Sequence, residues 1–339
     1  MLSLVEAGAA QLRGQGLRRE DIEGVAGITG LERRALALGT RSSKLALVQA
    51  EIVRTALIAL RPDLELRLQH ITTKGDALRD RPLSEIGGNG VFVTRIEAAL
   101  RAGEIDLAVH SAKDLTSTLP PDMALAAFMP RADAHDVLVS REGGGLMSLP
   151  AGARVGTGSP RRACQLLALR PDLRMLDIRG NVDTRLRKLR DGEYDAIVLA
   201  AAGLERLDAI DNVSEWLDVE TMIPAVGQGA LAVEVRADDD FMLELAGRLD
   251  DRATSTAVRA ERAFLATIGG GCTLPVGAHA SIRGEVLHIR GMIGGAGGQM
   301  VRGEHERSRD EPERAGAELA GKLLAEGGDQ IVRTGEAAP

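Results

Sequence analysis

The sequence predicts an α/β protein built as two lobes with mixed sheets around a cleft, followed by a small α+β C-terminal domain. Strand–loop–helix units recur along most of the chain, and those before and after residues 135–223 are alike in style, so the chain crosses between lobes more than once. Strands such as Ala196–Ala200 are almost wholly apolar, as strands buried under helices on both faces must be. The Gly-rich link Gly269–Gly271 then gives way to three short alternating strands between about 276 and 306. A chain of 339 residues has room for two or three such domains.

The elements follow in order. Residues 1–34 are polar and Gly-interrupted around Gln11 to Glu20 and read as an extension with no chemistry of its own. The body begins at Ala35–Leu38 and passes through Gly39-Thr40-Arg41 into a helix over Lys44–Leu60, where Leu45, Val48, Ile52 and Ala56 recur at helical spacing. Arg61-Pro62 stops it. Leu64, Leu66, Leu68 and His70 alternate as a strand, Gly87-Gly88-Asn89-Gly90 precedes a helix over Val91–Leu100, and Ile105–His110 is a short buried strand. Strands are next expected at Val137–Ser140, Arg154–Gly156, Arg174–Ile178 and Ala196–Ala200, with helices from Ser159-Pro160 to Leu169 and over Val182–Arg190. Pro224–Gly229 leads into a strand at Ala230–Val235, a helix lies near Arg252–Ala266, and Glu311–Leu324 forms the last helix.

Composition excludes several classes. A formal charge of -7 opposes binding to nucleic acid or anionic lipid. No run approaches the roughly 18 apolar residues of a membrane helix, and Glu6 interrupts the start where a secretory signal would need a basic and then apolar run. Cysteines at 164 and 272 alone make neither a disulfide framework nor a zinc site, so no metal and a reduced cytoplasm are expected.

Against this acidic background the arginines cluster. Gly156-Thr157-Gly158-Ser159-Pro160-Arg161-Arg162 offers backbone N–H groups, hydroxyls and two cations at a helix start, an anion site. A Ser N-cap with Pro at N1 accounts for Ser159 and Pro160 equally well, but not for two Arg in a first turn that the macrodipole disfavours. Arg179-Gly180-Asn181 with Thr184-Arg185 repeats the pattern at the next strand end. An incomplete glycine fingerprint, with Arg179 where an acid would be needed, speaks against a dinucleotide-binding oxidoreductase. Asp114, after His110-Ser111-Ala112-Lys113, is either a local partner of Lys113 or an acid in a cleft. Cys164 falls inside a helix as a core residue, and Cys272, after three glycines, is the better nucleophile.

These same residues carry a resemblance. Gly39–Ala46, Thr73-Lys74-Gly75-Asp76, Gly87–Phe92, His110–Asp114, Gly156–Arg162, Leu176–Val182, Thr184-Arg185, Tyr194–Ile197, Ala202-Gly203-Leu204, Pro224–Gly229 and Gly270-Gly271-Cys272 resemble, in order, the motifs of the porphobilinogen deaminase (hydroxymethylbilane synthase) family. The resemblance runs from about residue 36 to the C-terminus. It implies two lobes like those of type II periplasmic binding proteins, 36–130 plus 229–248 and 131–228, and a cofactor-bearing domain over 250–330, with 1–35 outside it. It also implies a cytoplasmic, monomeric transferase of tetrapyrrole and heme biosynthesis. Such an enzyme condenses four porphobilinogen molecules head to tail with release of ammonia, then frees hydroxymethylbilane by hydrolysis.

By the same resemblance Cys272 holds a dipyrromethane cofactor as a thioether and Asp114 is the catalytic acid. Arg41, Ser43, Lys113, Thr157, Ser159, Arg161, Arg162, Arg179 and Arg185 fall on cofactor-contacting positions. Arg41, Phe92, Arg179, Arg185 and Arg206 fall on substrate-contacting ones. Each pyrrole carries two carboxylates, which is the physical reason for arginine-rich loops on an acidic protein. The sequence departs from the family pattern at Asn89, Thr116 and Lys44, where Lys, Pro and Pro are common. The alternative is a non-catalytic two-lobed polycarboxylate-binding protein, which would need the arginines but neither Asp114 nor Cys272.

Overall fold

A computed structural model describes residues 35–71, 90–269 and 274–336. In the first lobe β1 (Leu36–Thr40) pairs in parallel with β2 (Leu66–His70) and β3 (Leu107–Ser111), while β10 (Leu231–Arg236) runs antiparallel between β3 and β4 (Met123–Phe128). The order is β2-β1-β3-β10-β4. Helix α1 (Lys44–Leu60) lays Ala50, Val53, Ala56 and Leu57 on one face of this sheet, and α2 (Gly90–Arg101) lays Ile96, Ala99 and Leu100 on the other. The helix spans the expected Lys44–Leu60, but of the stripe Leu45, Val48, Ile52 and Ala56 only Ala56 is fully buried, and the core face is shifted to Ala50, Val53 and Leu57.

The second lobe repeats the plan. Its strands β5 (Asp136–Ser140), β6 (Arg154–Gly156), β7 (Arg174–Leu176), β8 (Ala196–Ala200) and β9 (Glu215–Leu217) take the order β7-β6-β8-β5-β9, with β5 antiparallel to its neighbours. Helix α3 (Pro160–Leu169) covers one face through Leu166. The other face is covered by α4 (Val182–Arg190), through Leu186 and Leu189, and by α5 (Ala201–Arg206), through Leu204. In each lobe the antiparallel strand is the one that arrives from the other lobe, which makes both sheets mixed. This is the two-lobed α/β fold that the resemblance implies.

The two crossings run side by side. Arg131 Nε donates to Gln228 O at 2.8 Å, and Ala132 N donates to Gly229 O at 3.3 Å. Gly229 has φ +89°, and a Cβ there would lie 2.3 Å from Ala132 O, so only glycine fits this approach. Helix α7 (Arg252–Ile268) of the C-terminal unit fixes both crossings through one fully buried carboxylate, Glu261. Glu261 accepts from Arg131 Nη1 at 2.6 Å, from Gly227 N at 2.7 Å and from Ala280 N at 2.8 Å.

The C-terminal unit is α+β. An antiparallel sheet of β11 (Val276–Arg283), β12 (Val286–Gly294) and β13 (Met300–Ser308) packs on α7 and α8 (Pro312–Leu323) around the fully buried Phe264, and α9 (Asp329–Glu336) follows. The sequence reading differs from the structure at several places. The expected strand over Arg174–Ile178 ends at Leu176, because its partner β6 ends opposite it at Gly156. The elements β4, β9, α5, α6 (Asp240–Gly247) and α9 were not anticipated. Gly87–Asn89, the segment 1–34 and the end of the Gly269–Gly271 link lie outside the described residues. Among the described residues no helix is long and apolar enough to cross a membrane.

Candidate active-site cleft

Strand ends from both lobes meet at one cleft, as doubly wound sheets allow. After β1, the buried Thr40 donates its Oγ1 to Ala46 O, and Ser43 caps α1 by accepting from Ala46 N at 3.3 Å. This turn sets Arg41, Ser43 and Lys44 on the cleft wall. After β3 the chain winds into a single 3₁₀ turn, Ala112–Asp114, and Gln49 of α1 steadies its start by donating to Ser111 Oγ at 2.9 Å. Lys113 lines the cleft. From the second lobe come Arg162 of α3, Gly180 to Arg185 around the start of α4, and Arg206 at the end of α5.

The wall is strongly cationic. Burial, with Arg162 nearby, pulls the Lys113 ammonium down to about 8, against the attraction of Asp114 and Asp136. Burial likewise pulls Arg185 down to about 10, helped by Arg162 and Arg179 and opposed by Asp177 and Asp114. Arg206 is pulled down to about 10 by burial, donates to Gly229 O at 2.7 Å, and keeps a buried Nε with no hydrogen-bond partner among the described residues. Cations held below their ordinary values in this way gain most from an incoming anion.

Asp114 is half-buried on the same turn as Lys113. It accepts no hydrogen bond among the described residues, and its charge is felt by Lys113 and Arg185. Lys113 donates instead to Gln228 Oε1 at 3.3 Å. Arg179 stands on the loop before α4, paired with Asp177 at 2.8 Å. Thr157 and Ser159 are engaged in starting α3, where Thr157 Oγ1 accepts from Ser159 N at 3.2 Å and Ser159 Oγ accepts from Arg162 N at 3.4 Å. Cys272 and the side chain of Phe92 lie outside the described residues.

Of the expected site residues, Asp114, Thr157, Ser159, Arg161 and Arg179 are not among those lining the cleft, and Arg161 departs furthest from the sequence reading. Arg161, expected to face the ligand, is 4% exposed and does not line the cleft. It pairs with Asp136 at 2.7 Å and donates to Ile223 O. Arg162 grips the same carboxylate through Nε at 2.9 Å and Nη2 at 2.7 Å while its Nη1 donates to Val198 O. Gln228 adds a bond from Nε2 to Asp136 Oδ1 at 2.9 Å. Burial alone would raise the Asp136 carboxyl, but the two guanidinium groups hold it well below the usual carboxylate range. Sequence reasoning missed Asp136 and Gln228. The available signal was an acid opening the otherwise apolar run Asp136–Val139.

A difference in stability follows. Arg161→Ala strips a fully buried carboxylate of one partner and is expected to cost ~3–5 kcal/mol. Arg179→Ala breaks a solvated pair and is expected to cost less than ~1 kcal/mol. Urea-unfolding midpoints of the two variants check this, and equal losses would refute the division of labour. Among the described residues no cluster of His, Cys, Asp or Glu could hold a metal ion.

Residues 36–244 match the family model described as "Porphobilinogen deaminase, dipyromethane cofactor binding domain", and residues 255–325 match "Porphobilinogen deaminase, C-terminal domain". A curated porphobilinogen deaminase of Roseiflexus sp. is 59% identical over 300 residues, covering 88% of this chain and 99% of that one. One from Syntrophotalea carbinolica is 47% identical over 306 residues, covering 90% and 97%. A solved periplasmic binding protein of Salmonella typhimurium aligns at a TM-score of 0.37 and 13% identity over 66% of this chain and 94% of that one.

Proposed function

This chain belongs to the porphobilinogen deaminase family, and we propose from that premise how its cleft carries out the family's reaction. Four porphobilinogen molecules are condensed head to tail onto a covalent dipyrromethane cofactor with release of ammonia, and hydrolysis then yields hydroxymethylbilane. The observation that carries this reading is the meeting of Arg41, Lys113, Arg162, Arg185 and Arg206 at one cleft with Asp114 close enough to be felt by two of them. The cofactor fits these residues. Its carboxylates call for cations in excess of acids, and Arg206 offers a buried N–H that has no partner among the described residues.

Cys272 would hold the cofactor as a thioether. Cys164 does not suit that task, because it is buried, its thiol is pushed up by burial, and it contacts Gln299 O at 3.3 Å. Arg41, Lys113, Arg162 and Arg185 would pair with cofactor carboxylates, and Ser43, Thr157 and Ser159 would add hydroxyl and first-turn contacts. Arg41, Arg179, Arg185 and Arg206 receive substrate carboxylates, and Phe92 packs beside the substrate. Arg161 acts behind the wall by fixing Asp136 and through it Arg162. When bound, dipyrromethane supplies the first two rings and the pyrrole carbon to which units are joined.

Asp114 does the proton work. Its carboxylate steadies positive charge developing at the substrate pyrrole N–H and shuttles a proton at the leaving amine. Residues 36–130 with 229–248, residues 131–228 and residues 250–330 act as three domains, and 1–35 precedes them. The enzyme works as a cytoplasmic monomer, which suits two cysteines kept reduced and an acidic chain that binds neither nucleic acid nor membrane.

Intact mass before and after incubation with porphobilinogen tests the reading. The purified protein is expected to carry two pyrrole units and to gain up to four more, with one ammonia released per unit. A mass equal to the bare chain and no ammonia would leave a polycarboxylate-binding protein instead.

A further inference from the structure

We propose that Asp177 is an internal counter-ion that holds the place of a pyrrole carboxylate on Arg179 and gives it up when ligand enters. This rests on the family reading above. Asp177 Oδ2 lies 2.8 Å from Arg179 Nε, with side-chain exposures of 53% and 26%, so the pair is open to exchange with a carboxylate from solution.

Its position is what matters. A Cβ built on Gly158 would lie 3.0 Å from Asp177 Oδ1 and 3.9 Å from Arg179 Cζ. The pair therefore lies over the Gly156–Ser159 loop, the segment whose glycines, hydroxyls and following arginines read as an anion site. The carboxylate found at that loop is the protein's own.

The backbone around this carboxylate is held by other bonds. Tyr194 Oη donates to Asp177 O at 2.8 Å, Thr157 N donates to Leu176 O at 2.9 Å, and Arg185 Nε donates to Gly180 O at 2.8 Å. The loop is thus held by backbone acceptors on both sides of the ion pair. What the side chain contributes is charge. Arg162 and Arg179 repel Arg185 while Asp177 attracts it, so Asp177 offsets the crowding of cations when no ligand carboxylate is present. A ligand carboxylate supplies the same charge and displaces it. The competition weakens every incoming carboxylate slightly, and it also eases release as the chain grows past this position.

A positioning role and a competing role have opposite signs, which makes the proposal decidable. Competition by a solvated ion pair is expected to raise KM only roughly two- to fivefold. Asp177→Asn and Asp177→Ser should therefore lower KM for porphobilinogen by that factor. At limiting porphobilinogen, intact mass should also show more protein still carrying added pyrrole units than in the wild type. Asp177→Glu keeps the charge and should stay nearer the wild-type values. In an Arg179→Ala background, Asp177→Asn should no longer lower KM, because the contested cation is gone. A raised KM in Asp177→Asn would make the carboxylate a positioning group, and an unchanged KM and mass distribution would make it idle; either overturns the proposal while leaving the family reading intact. A wild-type protein that consumes no porphobilinogen would overturn both.

Discussion

Asp114→Asn is expected to keep the fold and the covalent cofactor while lowering kcat by ~10²–10⁴ through loss of acid–base work alone. Loss of charge stabilisation at the pyrrole N–H adds to that. The expectation starts from the surroundings of the carboxylate. A carboxylate serving only to pair with its neighbour would be engaged by Lys113, yet the Lys113 ammonium points to Gln228 Oε1 at 3.3 Å. Asp114 is left half-buried on a short 3₁₀ turn without a hydrogen-bond donor among the described residues. Asparagine keeps the size of the side chain but replaces a full negative charge with an amide that presents N–H donors of its own toward the pyrrole. Asp114→Glu keeps the charge and should retain more activity, although a shift of about 1 Å can itself cost ~10². The measurement is kcat for porphobilinogen consumption on protein whose mass shows the cofactor in place. A near-normal kcat in such Asp114→Asn protein would return the residue to the role of a partner for Lys113.

Much of the framework was legible because strand and helix periods differ and their punctuation is chemical. Ser159 caps α3 as the Ser159-Pro160 start suggests, and the apolar run Ala196–Ala200 is the central β8. The edge strand β9 was not legible, since three residues, Glu215–Leu217, carry no period to read. The arginines show a subtler limit. Two cations in the first turn of α3 oppose the helix dipole, a misfit that the sequence reading assigned to a ligand anion. The anion the fold supplies is Asp136, from a strand of the same sheet and twenty-five positions before Arg161. No local pattern joins the two. Only the pairing of β5 with β8 brings the carboxylate under α3, and so the sequence could name the cations without saying which of them the protein itself would claim.

Cys272→Ser is expected to give protein without covalent dipyrromethane, lighter by two pyrrole units, with porphobilinogen consumption at background. The reaction needs a nucleophilic sulfur here, and serine lacks a comparably acidic and nucleophilic group. The other cysteine provides the control. Cys164 is 3% exposed on α3, packed with Ile223 and Met292, and a Cβ on Gly294 would lie 2.5 Å from its Sγ, so no ring system fits beside it. Cys164→Ser should therefore keep the full mass and turnover. Loss of the cofactor should also lower the thermal midpoint of Cys272→Ser, since a group bound only by the native state adds to its stability. The cations explain why the effect should be large. Arg162, Arg185, Arg206 and Lys113 crowd one cleft at a cost in repulsion and burial that cofactor carboxylates would relieve. Added salt should then partly restore the midpoint of the Cys272→Ser protein by screening the uncompensated cations. Two pyrrole units still present on Cys272→Ser protein would place the anchor elsewhere, and a midpoint equal to the wild type's would mean that the cationic wall is stable without its counter-charge.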